Sequence, residues 1–227
     1  NFGRDVFSRV LWGARTSATV SFLGVMIGAT VGAAWGLGSG YLGNIFDLLS
    51  QRVIDALLAF PVLILTMTVV AAFGASDVSL IAAIAVALIP QSARAVRATA
   101  IAVREREFVD AARSTGAGTA RILLRHILPS CLTPYIVVMS VSLGWAIVVE
   151  ASLSFLGLGP PPPTPSWGAM LSNEGRQYLL QAPWLALAPG FTITVAVFGL
   201  SLFGEAISDA LDPRLQRSRT AIPGPQV

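Results

Sequence analysis

The chain has 227 residues, of which 54% are hydrophobic and only 12% charged, and its mean hydropathy of +0.72 excludes an ordinary soluble domain in favour of a polytopic membrane protein. Its net charge of +3 comes from 15 arginines and no lysine, so a phosphate-binding loop, which needs Lys to reach the β- and γ-phosphates, is excluded from this chain. One cysteine, Cys131, and one histidine, His126, exclude a disulfide framework and a Cys/His zinc cluster.

The chain opens at Asn1, with neither Met nor an apolar leader, so further sequence is expected before it. Residues 1–15 read as an extracytoplasmic interfacial segment: Val6, Val10 and Leu11 share a helical face, Arg4, Arg9 and Arg15 lie off it, and Trp12 suits headgroup depth. The first span is expected over about 16–42. Gly24, Gly28, Gly32 and Gly36 recur at every fourth position, a smooth stripe for close helix packing. Asn44, Asp47, Gln51 and Arg52 are then expected to form a turn. A second span follows over about 53–73, interrupted by Pro61, with Asp55 near its mouth.

Gly74, Ala75, Ser76 and Asp77 make a tight connection with Asp77 as the expected cap, and the third span covers about 78–96 with a kink at Pro90. The fourth is expected over 130–156 and the fifth over 185–207, each near the roughly 20 residues that cross a bilayer. Between them, the run Pro160 to Pro163 and Pro165 exclude a helix, so 157–184 is an extramembrane loop. Within it, 166–181 is amphipathic, and Trp167 and Trp184 are expected at the interface.

The longest polar interval is Arg104 to Pro129, within a loop of about 99–129. Phe108, Ala111, Ala112 and Thr115 follow i, i+3, i+4, i+7 spacing and make a narrow, mostly small face, beside which Arg106, Asp110 and Arg113 can pair. Gly116, Ala117 and Gly118 break the helix and Thr119 can cap a second one. Leu124 and Leu128 stack on its inner face until Pro129 stops it. Seven arginines lie between Arg94 and Arg125, and Arg214, Arg217 and Arg219 follow the last span. The positive-inside rule places both segments, with the 211–227 tail, in the cytoplasm. The N-terminus then falls outside with its own arginines, a conflict that an earlier span entering from the cytoplasm would remove.

Asp110, Ala111 and Ala112, Gly116 four positions on, and His126, Leu128 and Pro129 after nine more residues resemble the E-A-A-x-x-x-G-x9-I-x-L-P signature of permease subunits of ABC importers. Two positions depart from it: Asp110 replaces the usual Glu, and His126 replaces an apolar residue. Glu150 to Gly159, EASLSFLGLG, with PTPSWG over 163–168, GRD over 3–5 and LDPR over 211–214, is similar to the second, C-type permease subunit of the dipeptide, oligopeptide and nickel group.

The resemblance implies an all-α bundle of five core transmembrane helices, the type I importer permease fold, over 16–210. Asp110, Ala111, Ala112, Gly116, His126, Leu128 and Pro129 are then the ATPase-coupling residues. It implies no cofactor in this chain, with ATP and Mg bound by partner ATPase subunits. It also implies a homologous second permease, an extracytoplasmic solute-binding protein and a peptide substrate, with nickel or another small solute as the alternative cargo. The implied location is the cytoplasmic membrane, among lipid and without nucleic acid. Glu150 is either a pathway carboxylate for peptide amino termini or an anchor for the Pro-rich loop. The rigid segment that follows it favours the anchor.

Two unrelated readings compete. A secondary transporter would place ionisable or broken-helix sites near mid-membrane, where these spans are nearly all apolar. An intramembrane serine protease would need His126 to reach Ser76, which the span count puts on opposite sides of the membrane.

Overall fold

The computed structural model describes residues 5–172, 178 and 180–211. Arg4, the tail from 212 onward with Arg214, Arg217 and Arg219, and most of 173–179 in the expected amphipathic stretch lie outside the described residues.

Helix α1 (Val6–Leu42) starts where the Asp5 carboxylate accepts the Phe7 and Ser8 amide protons at 3.1 and 3.2 Å. It runs without a break, so the separate interfacial segment ending at residue 15 is instead the first turns of one long helix. Nothing breaks the backbone ladder from Val6 to Leu42, and Gly13 already packs on Trp167. Trp12 does remain exposed, with the Arg15 guanidinium 6.0 Å from its ring centroid.

Gly43 (φ +65°) and Asn44 (φ +51°) break the helix within two residues. Helix α2 (Asn44–Leu58) therefore begins at once, and Asp47, Gln51 and Arg52 lie on it and not in a turn. Pro61 separates it from α3 (Val62–Phe73) at 93°, so the second apolar stretch is a sharply bent pair and not one straight span. Helix α4 (Asp77–Arg104) is capped by Ser76, whose hydroxyl oxygen accepts from the Ser79 amide at 3.1 Å. Asp77 is its first residue, not its cap. The helix continues through Pro90 without interruption and reaches eight residues beyond the expected end.

Helix α5 (Glu107–Ser114) and α6 (Thr119–Ile122) follow, then a π-helical turn (Leu123–Ile127) that leads directly into α7 (Leu128–Leu153). Pro129 therefore opens α7 and does not stop a helix. It occupies the first turn, where a missing N–H costs least, and the wide π turn before it leaves room for the ring. Gly118, not Thr119, is the residue before α6, with no side-chain cap. After a further turn (Ser154–Leu158) that bends at Gly157 (φ +84°) come α8 (Trp167–Ser172) and α9 (Trp184–Leu211).

The bundle is organised by the glycine stripe. A Cβ on Gly24 would lie 2.7 Å from Ile84, on Gly28 2.6 Å from the Ala85 carbonyl oxygen and on Gly32 2.5 Å from that of Ile89. Gly36 and Gly40 continue the contact onto Ala93 and Arg97. Both sets of numbers rise together, so α1 and α4 are parallel and their backbones nearly touch. Helix α9 crosses α7 in the opposite sense, Gly144 facing Ser201 and Gly204 facing Val141. One apolar core joins Val20, Val25, Ala29, Leu80, Ile84, Leu88, Ala146 and Leu153. A second joins Leu37, Val96, Val103, Val109, Ile122 and Ile127 beneath the polar interval.

Candidate functional site

Helix α5 is seated by one fully buried side chain, Val109, which enters the second core beside half-buried Ala112. The outer face carries Phe108, Asp110, Ala111 and Thr115, all exposed. The small-residue face expected from the spacing is thus split. Ala112 turns inward, while Ala111 and Thr115 face out. Val109 was missed because the motif drew attention to its neighbours, although Val109 and Ala112 form an i, i+3 pair of their own.

Gly116 takes φ +80°, a conformation that disfavours any residue with a Cβ, and the Ala117 amide donates to the Ala112 carbonyl at 3.0 Å. The chain turns there, and Ala117, Ile122 and Ile127 return to the same core. Half-buried His126 lies with its ring 6.0 Å from that of Phe108, tilted by 44°, so it bridges the two arms of the hairpin. Leu128 is half-buried against the core, whereas Leu124 is exposed and does not stack inward as expected. Asp110 pairs with Arg113 at 3.3 Å across an exposed surface. The motif positions are therefore gathered on one end of the bundle, with Asp110, Ala111, Gly116 and Pro129 outward and Ala112, His126 and Leu128 partly inward.

A polar network ties this end together. On α2, Asp47, Gln51 and Asp55 recur every four residues and form one stripe. Asp47 accepts from Arg97 and Ser39, Gln51 reaches Ser39 at 3.5 Å, and Asp55 pairs with Arg94 at 2.5 Å. Arg104 closes α1 by donating to the carbonyl oxygens of Gly40 and Tyr41 at 3.3 and 3.1 Å. With Glu105, Asp110, Arg113, Tyr41 and Leu42 it lines a polar cleft beside α5. The i, i+4, i+8 pattern on α2 is present in the sequence, but the expected boundary fell inside it, with Asp47 and Gln51 in a turn and Asp55 in the span that follows.

At the opposite end, Glu150 on α7 is completely buried. Its Oε1 accepts the Ser154 hydroxyl at 2.7 Å, Ser17 of α1 also reaches the carboxyl group, and among the described residues Oε2 has no partner at normal hydrogen-bond geometry. Trp167 is also buried and not interfacial as expected: its amide donates to Ser17 at 3.4 Å and its indole N–H to the Val10 carbonyl at 3.0 Å. Trp184 is exposed. Ser76 caps α4 at this end, whereas His126 adjoins Ile127, which packs with Val96, Ala100 and Val103 in the last turns of that 28-residue helix, more than about 30 Å away at the usual helical rise. The two cannot form a nucleophile and base.

Residues 24–217 match the family described as the binding-protein-dependent transport system inner membrane component. The chain belongs to this family. Among its relatives is a putative peptide transport system permease protein of Brucella suis, 44% identical over 95% of this chain and 72% of the relative. A dipeptide transport system permease protein of Alkalihalophilus pseudofirmus is 43% identical over 95% and 71%. A glutathione transport system permease protein of Escherichia coli is 44% identical over the same shares.

The fold is that of ABC importer permeases. It matches an inward-facing MetNI methionine ABC transporter with a TM-score of 0.68 at 18% identity, covering 90% of this chain and 96% of that one. An amino acid ABC transporter matches with a TM-score of 0.62 at 17% identity, covering 95% and 100%. This permease is thus a multi-pass membrane protein, with four long apolar helices and the bent α2–α3 pair able to span among the described residues. Membership in the family brings ATPase and binding-protein partners in general terms.

Proposed function

We propose that this permease forms one half of a translocation path for di- and oligopeptides in the cytoplasmic membrane, and that it performs no catalysis itself. The observation that carries the peptide reading is near-end-to-end similarity, at 43–44% identity, to relatives named for peptides, a dipeptide and glutathione. A homologous second permease supplies the other half, and an extracytoplasmic binding protein delivers the peptide.

Two ATPase domains carrying ATP and Mg grip the α5 hairpin. Asp110, Ala111 and Gly116 form the exposed contact, while Ala112, His126 and Leu128 hold its shape and Pro129 joins it to α7. Because Val109, Ile122 and Ile127 lie in the same core as Leu37 and Val96, a displacement of α5 transfers to α1 and α4 as a packed unit. That provides the differential contact that a two-state transporter needs. The arginine-rich end is cytoplasmic by the positive-inside rule, and the C-terminus with it.

The test is uptake of a labelled dipeptide by cells holding the complete operon, together with co-purification of the ATPase subunits. The wild-type chain should bring the ATPases down and support uptake. Ala111→Trp should lose both while the protein still inserts. An Ala111→Trp variant that retains the ATPases refutes the docking surface, and uptake of nickel in place of peptides refutes the cargo.

A further inference from the structure

The arm that returns from Gly116 into the bundle, Thr119 to Pro134, contains Arg121, Arg125 and His126 and no acidic residue. Its inward side is fixed by Ile122, Ile127 and Cys131, all buried in the second core. Ile122 and Ile127 stand five positions apart, a spacing that a regular α-helix turns to different faces. The π-helical turn, in which the Leu128 amide donates to the Leu123 carbonyl, brings both inward. Arg121, Leu124 and Arg125 are left on the outward side, with Leu124 61% exposed between two exposed arginines.

This outward face lies where the arm leaves the membrane. About 20 residues of helix cross the hydrocarbon, and counted back from Leu153 at the end of α7 they reach Pro134. The exposed Leu132 thus stands at the edge of the apolar layer. Helix α4 marks the same level: the Cys131 thiol donates to the Val96 carbonyl, and Val96 lies between Arg94 and Arg97, the first cations of that helix. Arg125 is roughly 10 Å beyond Leu132 at the usual helical rise, with Arg121 one turn further. From there a long arginine side chain reaches back to the headgroups.

We propose that Arg121, Leu124 and Arg125 form a binding face for an anionic phospholipid of the adjacent leaflet, the two guanidinium groups holding the headgroup phosphate and Leu124 lying against the glycerol and upper acyl carbons. Charge selects this occupant: the face offers two cations around an apolar side chain, and a guanidinium fork matches phosphate oxygens. On the other arm of the hairpin, Asp110 is already paired with Arg113. Ile122 and Ile127 share their core with Val109, and the His126 ring meets that of Phe108, so a lipid seated on this arm braces α5. That consequence rests on α5 being the ATPase contact; the lipid binding itself does not.

The test uses the assembled transporter in nanodiscs of phosphatidylcholine with and without phosphatidylglycerol, and counts retained phosphatidylglycerol by native mass spectrometry. Wild type should retain it. Arg121→Gln with Arg125→Gln should weaken retention about 30-fold, Leu124→Gln by less, and Arg15→Gln, at the opposite end of the bundle, not at all. A photoreactive residue in place of Leu124 should label lipid. Phosphatidylglycerol should also raise ATP hydrolysis by the wild type more than by the double variant. Unchanged retention in the double variant overturns the proposal. So does a Leu124 adduct formed with an ATPase subunit or with the second permease, which would show that a protein covers this face. If retention falls as expected but hydrolysis ignores the lipid, the binding face stands and the bracing of α5 is refuted.

Discussion

Arg97 grips Asp47 with two hydrogen bonds, Nε to Oδ1 and Nη2 to Oδ2, both 2.6 Å, and so fastens α4 to α2 across 50 residues of sequence. The pair is largely but not wholly shielded, with side-chain exposures of 28% and 18%. Its loss should therefore cost about 2 kcal/mol, between the ~1 kcal/mol of an exposed pair and the ~3–5 kcal/mol of breaking a buried one. Arg97→Ala should lower the thermal midpoint in detergent, and Arg97→Lys should recover only part of it because the fork geometry is lost.

The glycine stripe makes a sharper prediction because one glycine of α1 is a control. Gly28→Ala and Gly32→Ala place a methyl group on α4 backbone at 2.6 and 2.5 Å, which should destabilise by about 1–3 kcal/mol as the helices are forced apart. Gly38 has nothing within 4 Å of a built Cβ. Gly38→Ala should stabilise by up to about 0.5–1 kcal/mol through lower backbone entropy in the unfolded chain. Unfolding of the three variants by denaturant should rank them in that order.

Val109 should control how firmly α5 is held. Val109→Ala removes two methyl groups from a fully buried site, at a cost of about 2 kcal/mol. Confined to this short helix, that loss should speed amide exchange over 107–114 roughly 30-fold while leaving α4 unchanged. Mass-spectrometric hydrogen exchange reads this directly. Coupled ATP hydrolysis should fall with it.

Gly116 should resist substitution for a different reason. Nothing lies near its Cβ position, so the cost of Gly116→Ala is the positive φ alone, about 1–2 kcal/mol. Gly116→Asn, which tolerates that conformation better, should retain more ATPase co-purification than Gly116→Ala.

The start of α1 should respond to acid. Asp5 is held below its ordinary value of 3.8, first by the Ser8 hydroxyl and then by the Phe7 and Ser8 amides that it caps. A depressed acid pKa means that the stabilisation is complete above the unfolded value and fades as pH falls through the folded one. Amide exchange at Phe7 and Ser8, corrected for its intrinsic pH dependence, should lose protection below pH ~3.8, and Asp5→Ala should abolish the effect.

Much of the α5 hairpin was legible in the sequence because each of its features is local. The charged interval, the left-handed Gly116 and the small Ala111 and Ala112 depend on spacing within about ten residues. The inward direction of Val109 was not legible, since an eight-residue helix with several small residues has no single apolar face until a core exists for it to meet. The bend at Pro61 was marked, but the 93° angle required knowing that α2 lies against Arg94 and Arg97.

By itself, then, the sequence determined that this chain is a helical membrane bundle, that its glycines pack a helix closely, and that one long polar interval interrupts its apolar spans. Composition and periodicity are properties of the chain, so they survive any arrangement of its helices. The tertiary structure decided which helix the glycines meet, that Trp167 is buried, that Asp47 and Asp55 meet Arg97 and Arg94, and that Glu150 is sealed beneath α1 and α8. Those are facts about neighbours more than ten residues apart in sequence, and burial, pairing and the cost of charge exist only once such neighbours are in place.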